Sequence, residues 1–116
     1  TAAGITMQDP TFQQWTRAKS FDTFGVFGPV VATGLDPTTL SIRTVYNDQE
    51  RQNYPVSDLF IQPARIVSLV SRDMTLHPGD VICCGTSVGV GSMKAGTTVE
   101  VTIDGIGTLR NRYEAA

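Results

Sequence analysis

The fold is decided by residues 98–109, which read Thr-Val-Glu-Val-Thr-Ile-Asp-Gly-Ile-Gly-Thr-Leu. Alternation of polar and apolar residues places Val99, Val101 and Ile103 on one face of a strand. The Asp104-Gly105 pair is typical of the tight turn that joins two antiparallel strands. The stretch therefore predicts a β-hairpin with one apolar face.

Similar patterns predict more strands toward the N-terminus. Residues 40–46 alternate apolar and polar side chains, and Asn47-Asp48 turns the chain into a return strand at 49–54. Residues 27–33, entered through Gly28-Pro29, and the short apolar run 81–84 also predict strands. With the hairpin at 98–109, these segments make about six strands.

One segment has helical periodicity. Pro63 suits the first position of a helix, and Leu76-His77-Pro78-Gly79-Asp80 ends the helix and reverses the chain. One apolar stripe runs along it: Ile66, Val67, Leu69, Val70 and Met74. We therefore predict an α+β fold, mainly β with one helix packed on the strands.

Composition narrows the classes of protein. The length of 116 residues suits one domain, and the net charge of -2 provides no basic surface for nucleic acid or for a membrane. Only 17% of residues are charged, against a typical quarter, which suggests extensive buried surface shared with further chain or a partner. No apolar run reaches the roughly 18–20 residues of a membrane span. No signal peptide is visible, so we expect a cytoplasmic protein.

The two cysteines, Cys83 and Cys84, are neighbours in the sequence. Neighbouring side chains in a strand point to opposite faces, so a disulfide between them is not expected. We interpret both as small buried apolar residues in a reducing compartment.

The glycine-rich segment Gly85–Gly91 admits two interpretations. It lacks the Gly-Lys-Ser/Thr ending of a phosphate-binding loop, so nucleotide binding is not indicated. It is either a tight structural turn or a cradle for a carboxylate, in which backbone N–H groups and the hydroxyls of Thr86 and Ser87 donate hydrogen bonds. The single histidine, His77, lies in a predicted turn without a nucleophile at recognisable spacing, which argues against a His-based triad.

Carboxylates do not cluster along the chain. The aspartates are scattered, mostly in turns, and no Glu-x-Glu or Asp-x-Asp pair occurs. A complete Mg²⁺ site therefore cannot be built from residues that are adjacent in this sequence.

The run Gln14-Trp15-Thr16-Arg17-Ala18-Lys19-Ser20-Phe21-Asp22-Thr23-Phe24 has neither a strand nor a helix period. We predict that residues 1–24 form an irregular segment. Lys19 stands between small residues and is bracketed by aromatic ones, so we expect it to be partly desolvated. Such a lysine is either a costly structural choice or a binding group for an anion.

This run, followed by Phe27-Gly28-Pro29, resembles the fumarylacetoacetate hydrolase superfamily. The resemblance is collinear over nearly the whole chain. It continues through these motifs: Arg51-Gln52, Ser57-Asp58-Leu59-Phe60, the segment 76–82, the glycine-rich segment 85–91, and the segment 103–111.

The resemblance implies a mixed β-roll, usually a homodimer, with residues 1–116 forming the C-terminal portion of one catalytic domain. It implies that 1–24 is an active-site segment. Relatives use Mg²⁺ or Mn²⁺ and act on 2-oxo or β-diketo acids such as acylpyruvates, oxaloacetate or hydroxymuconate-like compounds, as in aromatic catabolism. They hydrolyse C–C bonds, decarboxylate or isomerise.

The resemblance also assigns site residues. Lys19 matches the catalytic lysine, which adds a fixed positive charge beside the reacting group. Thr86 matches the loop threonine that, with the Gly85 backbone, holds the substrate carboxylate. Ser87 stands where many relatives have proline.

No metal ligand is assigned within this chain. Gly4 occupies the position of the family's metal-binding aspartate, Gln8 occupies that of an arginine, and Asp9 matches a second aspartate that is not normally a ligand. The ligands are therefore expected outside this sequence. The alternative is a non-catalytic fragment, pseudoenzyme or partner subunit of the same fold.

Overall fold

The computed structural model describes residues 13–114, and its regular core is one antiparallel sheet. The four strands lie in the order β2-β1-β3-β4. Their bounds are β1 Ser41–Tyr46, β2 Gln49–Pro55, β3 Thr97–Ile103 and β4 Gly107–Tyr113. Alternation predicts β1 and β3, and the hairpin turns predict β2 and β4 as their return strands; β4 extends further along the chain than the predicted segment 106–109.

The two faces of the sheet differ in chemistry. The pairing aligns Ile42 with both Tyr54 and Ile103, which gives one largely apolar face. The other face carries ion pairs, such as Arg43 Nε to Glu50 Oε2 at 2.7 Å. The Arg43 guanidinium holds the pKa of Glu50 below its usual value. An antiparallel sheet with one polar face needs cover on its apolar face only.

The described residues include two α-helices: α1 at Trp15–Lys19 precedes β1, and α2 at Pro63–Asp73 lies between β2 and β3. Short 3₁₀ turns occupy Pro37–Thr39 and Val56–Asp58. The predicted α+β class and the helix that begins at Pro63 are confirmed. The apolar stripe of α2 is half-covered, and its Val67 and Met74 are exposed. Within residues 13–114, neither helix is both long and apolar enough to cross a membrane.

Two predicted strands are wrong. Residues 27–33 and 81–84 are irregular, because neither segment has a hydrogen-bonded partner among the described residues. Cys83 is consequently exposed and Cys84 is only half-buried, so the expected burial of both cysteines is also wrong. The segment 1–24 is not irregular throughout, because α1 forms inside it; residues 1–12 lie outside the described residues.

The described chain buries few apolar side chains. Among residues 13–114, only Ala18, Tyr54 and Val56 are buried apolar residues. The accessible surface is 9014 Å², whereas a folded monomer of 12.5 kDa exposes about 6,200 Å². Phe27, Val31 and Phe60 are among the exposed large side chains. The chain therefore exposes more surface than a self-contained domain of this size, and large apolar side chains contribute to it.

The turn between β1 and β2 is held by Asn47. Asn47 and Asp48 both have positive φ, 45° and 61°, the backbone of the hairpin turn that suits twisted strands. Asn47 also bonds twice with Thr98 at the start of β3: its N–H donates to the Thr98 carbonyl (3.0 Å), and its Oδ1 accepts from the Thr98 N–H (2.9 Å). One residue thus joins the turn to the next strand.

We expect Asn47→Ala to lower the free energy of unfolding by about 1–3 kcal/mol, since alanine loses the acceptor for Thr98 and disfavours positive φ. Asn47→Gly keeps the backbone freedom and loses only the acceptor, so it should cost less. Urea-induced unfolding of the full-length protein, followed by circular dichroism, measures both changes. Equal stability of Asn47→Ala and the parent would refute this role.

Candidate functional site

The glycine-rich loop Gly85–Gly91 lies against the apolar face of the sheet, beside β2. Gly85 and Gly89 have φ of +101° and +102°, a conformation that residues with a β-carbon rarely adopt. A β-carbon on Gly89 would overlap the Arg51 carbonyl oxygen, so the loop backbone touches the β2 backbone directly. A β-carbon on Gly85 would meet nothing within 4 Å.

Gln52 on β2 ties the loop to the sheet. Its amide Nε2 lies 2.9 Å from the Thr86 hydroxyl oxygen, 2.9 Å from the Ser87 carbonyl oxygen and 3.1 Å from the Val88 carbonyl oxygen, and its two N–H groups are shared among these three acceptors. The three acceptors are consecutive in sequence, so one side chain fixes the first half of the loop. Thr86 itself remains exposed.

A cavity of about 180 Å³ opens between the loop and the sheet. The Arg51 guanidinium covers one side of it, 5.7 Å from the centre of the Tyr46 ring, which is within cation–π range. Its lining consists of Thr44, Tyr46, Arg51, Gln52, Gly89, Val90, Gly91, Ser92, Met93 and Val99.

Tyr46 holds the chain just after the loop, at Lys94. Its hydroxyl oxygen accepts a hydrogen bond from the Lys94 backbone N–H at 3.0 Å. That N–H lowers the pKa of Tyr46 from its usual value, with smaller contributions that include the positive charge of Arg51. Side chains of the apolar face therefore hold the first half of the loop, through Gln52, and the chain just after the loop, through Tyr46.

Lys19 lies on α1, one turn after Trp15. Its ammonium group is 5.3 Å from the centre of the Trp15 ring, a cation–π contact. Lys19 is exposed, so the expected partial desolvation is wrong for the described chain. Ala18, the residue before Lys19, is the buried residue of this helix.

The structure places Gly85 and Thr86 on one anchored loop, and Thr86 contacts Gln52 of β2. Lys19 does not line the cavity beside that loop. Within residues 13–114, no three histidine, cysteine, aspartate or glutamate side chains group to hold a metal ion. Gly4, Gln8 and Asp9 lie outside the described residues. The described residues therefore do not by themselves fit a divalent metal.

Sequence reasoning assigned no role to Gln52, Arg51 or Tyr46. A local signal for Gln52 was present, because alternation along β2 places it on the same face as the buried Tyr54. A polar side chain on an apolar face needs hydrogen-bond partners. The sequence does not show that those partners lie more than 30 residues away.

Comparisons with known proteins identify the family of the chain. Residues 1–114 match the family model described as the C-terminal part of fumarylacetoacetate (FAA) hydrolase. The chain therefore belongs to the fumarylacetoacetate hydrolase family, as its motifs predict. A protein of Archaeoglobus fulgidus is 51% identical over 98 residues, which make up 84% of this chain and 39% of that protein.

Solved structures share the fold. The 5-carboxymethyl-2-hydroxymuconate delta-isomerase from Mycobacterium smegmatis has a TM-score of 0.83 and 48% identity, over 85% of this chain and 40% of that chain. Maleylpyruvate hydrolase from Sphingobium sp. SYK-6, in complex with manganese(II) ion and pyruvate, has a TM-score of 0.70 and 34% identity, over 73% and 33%. The chain spans about two fifths of the length of the curated relatives that it matches.

The contact at Gly89 predicts a large effect of Gly89→Ala. Gly85→Ala is a matched control, since Gly85 has nearly the same φ with open space around it. We expect the control to cost about 1–3 kcal/mol of stability for the backbone conformation alone. Gly89→Ala should cost about 1–3 kcal/mol more, because the methyl group collides with the β2 backbone.

Urea-induced unfolding of the full-length protein measures both variants, and circular dichroism beforehand verifies that they fold. Equal costs for Gly85→Ala and Gly89→Ala would show that the close approach to β2 contributes nothing to stability.

Proposed function

We propose that this chain provides the carboxylate-binding part of a metal-dependent enzyme that acts on 2-oxo or β-diketo acids. The reaction would be hydrolysis of a C–C bond, decarboxylation or isomerisation. The observation that carries this proposal is the exposed Thr86 hydroxyl on an anchored glycine loop. Membership of a family that includes a hydroxymuconate isomerase and a maleylpyruvate hydrolase supports the same substrate class.

The loop has the chemistry that a carboxylate requires. A carboxylate only accepts hydrogen bonds, and the Thr86 hydroxyl together with nearby backbone N–H groups can donate to it. The open space beside Gly85 leaves room for a ligand. The tie to Gln52 holds the hydroxyl in place before any ligand arrives, which lowers the entropic cost of binding.

Lys19 is the proposed catalytic group. Its ammonium is oriented by the Trp15 ring and is exposed, so it is accessible to a ligand. A fixed positive charge beside a developing enolate or carboxylate lowers the free energy of the transition state.

The divalent metal, Mg²⁺ or Mn²⁺, would be held by ligands outside residues 13–114. The maleylpyruvate hydrolase relative carries manganese(II) and pyruvate together, which supports a metal beside a 2-oxo carboxylate. The role of residues 13–114 in this proposal is to bind and orient the substrate.

The chain is, in this proposal, the C-terminal portion of a larger catalytic domain. The excess of exposed apolar surface supports it, because more chain is needed to cover side chains such as Phe27 and Phe60. The homodimer and the cytoplasmic location stay predictions; light scattering of the purified protein would test the dimer.

We expect Lys19→Ala in the full-length protein to lower turnover of oxaloacetate or an acylpyruvate by at least ~10²-fold, the low end for loss of a preorganised charge. Lys94→Ala is the matched control, since Lys94 is the only other lysine of the sequence and its side chain has no proposed role. Steady-state kinetics measures both variants. Unchanged turnover in Lys19→Ala would remove Lys19 from the reaction.

We also expect the full-length protein to bind Mn²⁺ or Mg²⁺ with a micromolar to millimolar constant in isothermal titration calorimetry. Turnover of an acylpyruvate or oxaloacetate should disappear with a chelator and return when metal is added. If a folded full-length protein neither binds metal nor turns over these acids, the non-catalytic alternative is correct instead.

A further inference from the structure

We propose that Gln52 is a positioning residue that presents the Thr86 hydroxyl as a donor to the substrate carboxylate. This proposal rests on the proposed function, in which the Thr86 hydroxyl binds the carboxylate, and it identifies Gln52 as the residue that orients that hydroxyl. It is carried by the three hydrogen bonds from Gln52 Nε2 to the loop.

The orientation of the Gln52 amide follows from its surroundings. The Ser87 and Val88 carbonyl oxygens lie 2.9 and 3.1 Å from the same amide atom. A carbonyl oxygen can only accept, so the amide atom beside them must be the donating nitrogen. If the Gln52 amide oxygen lay there instead, it would face the Ser87 and Val88 carbonyl oxygens with no proton between them.

That orientation determines what the Thr86 hydroxyl can do. A threonine hydroxyl has one proton to donate and two lone pairs that accept. The Gln52 nitrogen has no lone pair for that proton, so the 2.9 Å contact uses a lone pair of Thr86 Oγ1. The hydroxyl proton is left for another acceptor, which is what a carboxylate supplies.

The same amide also limits how far the hydroxyl can move. Its bonds to the Ser87 and Val88 carbonyls hold the backbone that follows Thr86. The contact of Gly89 with the Arg51 carbonyl blocks movement of the loop toward β2. Gln52 thus fixes the position and orientation of the Thr86 hydroxyl relative to strand β2.

Gln62 offers a matched control. Its Nε2 also faces three acceptors, the carbonyls of Val56, Ser57 and Leu59 at 3.4, 3.1 and 2.9 Å. It lies just before α2 and contacts no hydroxyl. Gln62→Met therefore removes a similar set of hydrogen bonds without touching the glycine loop.

The test is a double-mutant cycle in the full-length protein with pyruvate as the probe, measured by isothermal titration calorimetry with Mn²⁺ present. We expect Gln52→Met to weaken pyruvate binding about 10-fold, as for one hydrogen bond to a charged group. In a Thr86→Ala background, Gln52→Met should change the dissociation constant less than about 2-fold.

Two companion variants separate positioning from general stability. Gln62→Met should lower the melting temperature and leave pyruvate binding unchanged. Gln52→Glu preserves side-chain size, but it captures the Thr86 proton and repels the ligand, so it should weaken binding more than Gln52→Met does. If Gln52→Met does not fold, Gln52→Asn serves as the test, since it keeps the amide but shortens the side chain and withdraws the donor from Thr86 Oγ1.

The outcomes distinguish this proposal from the proposed function. If Thr86→Ala weakens pyruvate binding and the Gln52 variants do not, the positioning role is wrong and the carboxylate site stands. An equal effect of Gln52→Met with and without Thr86 would mean that Gln52 only holds the loop, which also overturns the positioning role. If Thr86→Ala leaves pyruvate binding unchanged, the carboxylate site itself is wrong.

Discussion

The close approach of the glycine loop to β2 is the constraint on which the site depends. Gly89 touches the Arg51 backbone, where a side chain of any kind would collide. The next residue of β2, Gln52, satisfies two loop carbonyls and one hydroxyl. A loop with three glycines in seven residues would otherwise sample many conformations. The contacts of the loop with β2 restrict it to one conformation.

The anchored loop and the lysine helix are held in different ways. The loop is attached to a strand of the hydrogen-bonded sheet, so the Thr86 hydroxyl is held in a fixed position relative to the sheet. Lys19 is attached to a five-residue helix and is oriented by one aromatic ring. Short helices are marginal by themselves, so the position of Lys19 depends more strongly on what packs around it. The exposed aromatic and aliphatic side chains near α1, including Phe21 and Phe24, present the surface for such packing.

Much of the fold was predictable because its signals are local. Alternation identified β1 and β3, the Asn47-Asp48 turn identified β2, and a proline before an apolar stripe identified α2. The strands at 27–33 and 81–84 were wrong for a reason that local patterns cannot reveal. An apolar run becomes a strand only when a neighbour pairs with it, and no described residues do so. Family motifs predict site roles for Thr86, Gly85 and Lys19, whereas Gln52 belongs to the Arg51-Gln52 motif without a predicted role.

Sequence patterns are enough to establish the family, the α+β class, which residues of β1 and β3 share a face, and the residue types available for binding an anion. Tertiary structure alone decided which of those residues meet. Gln52 and Thr86 are 34 positions apart, and nothing in the composition of either segment indicates that they touch. Their contact exists because the loop folds back across the apolar face of the sheet, and burial of that face is a property of the whole arrangement rather than of any segment.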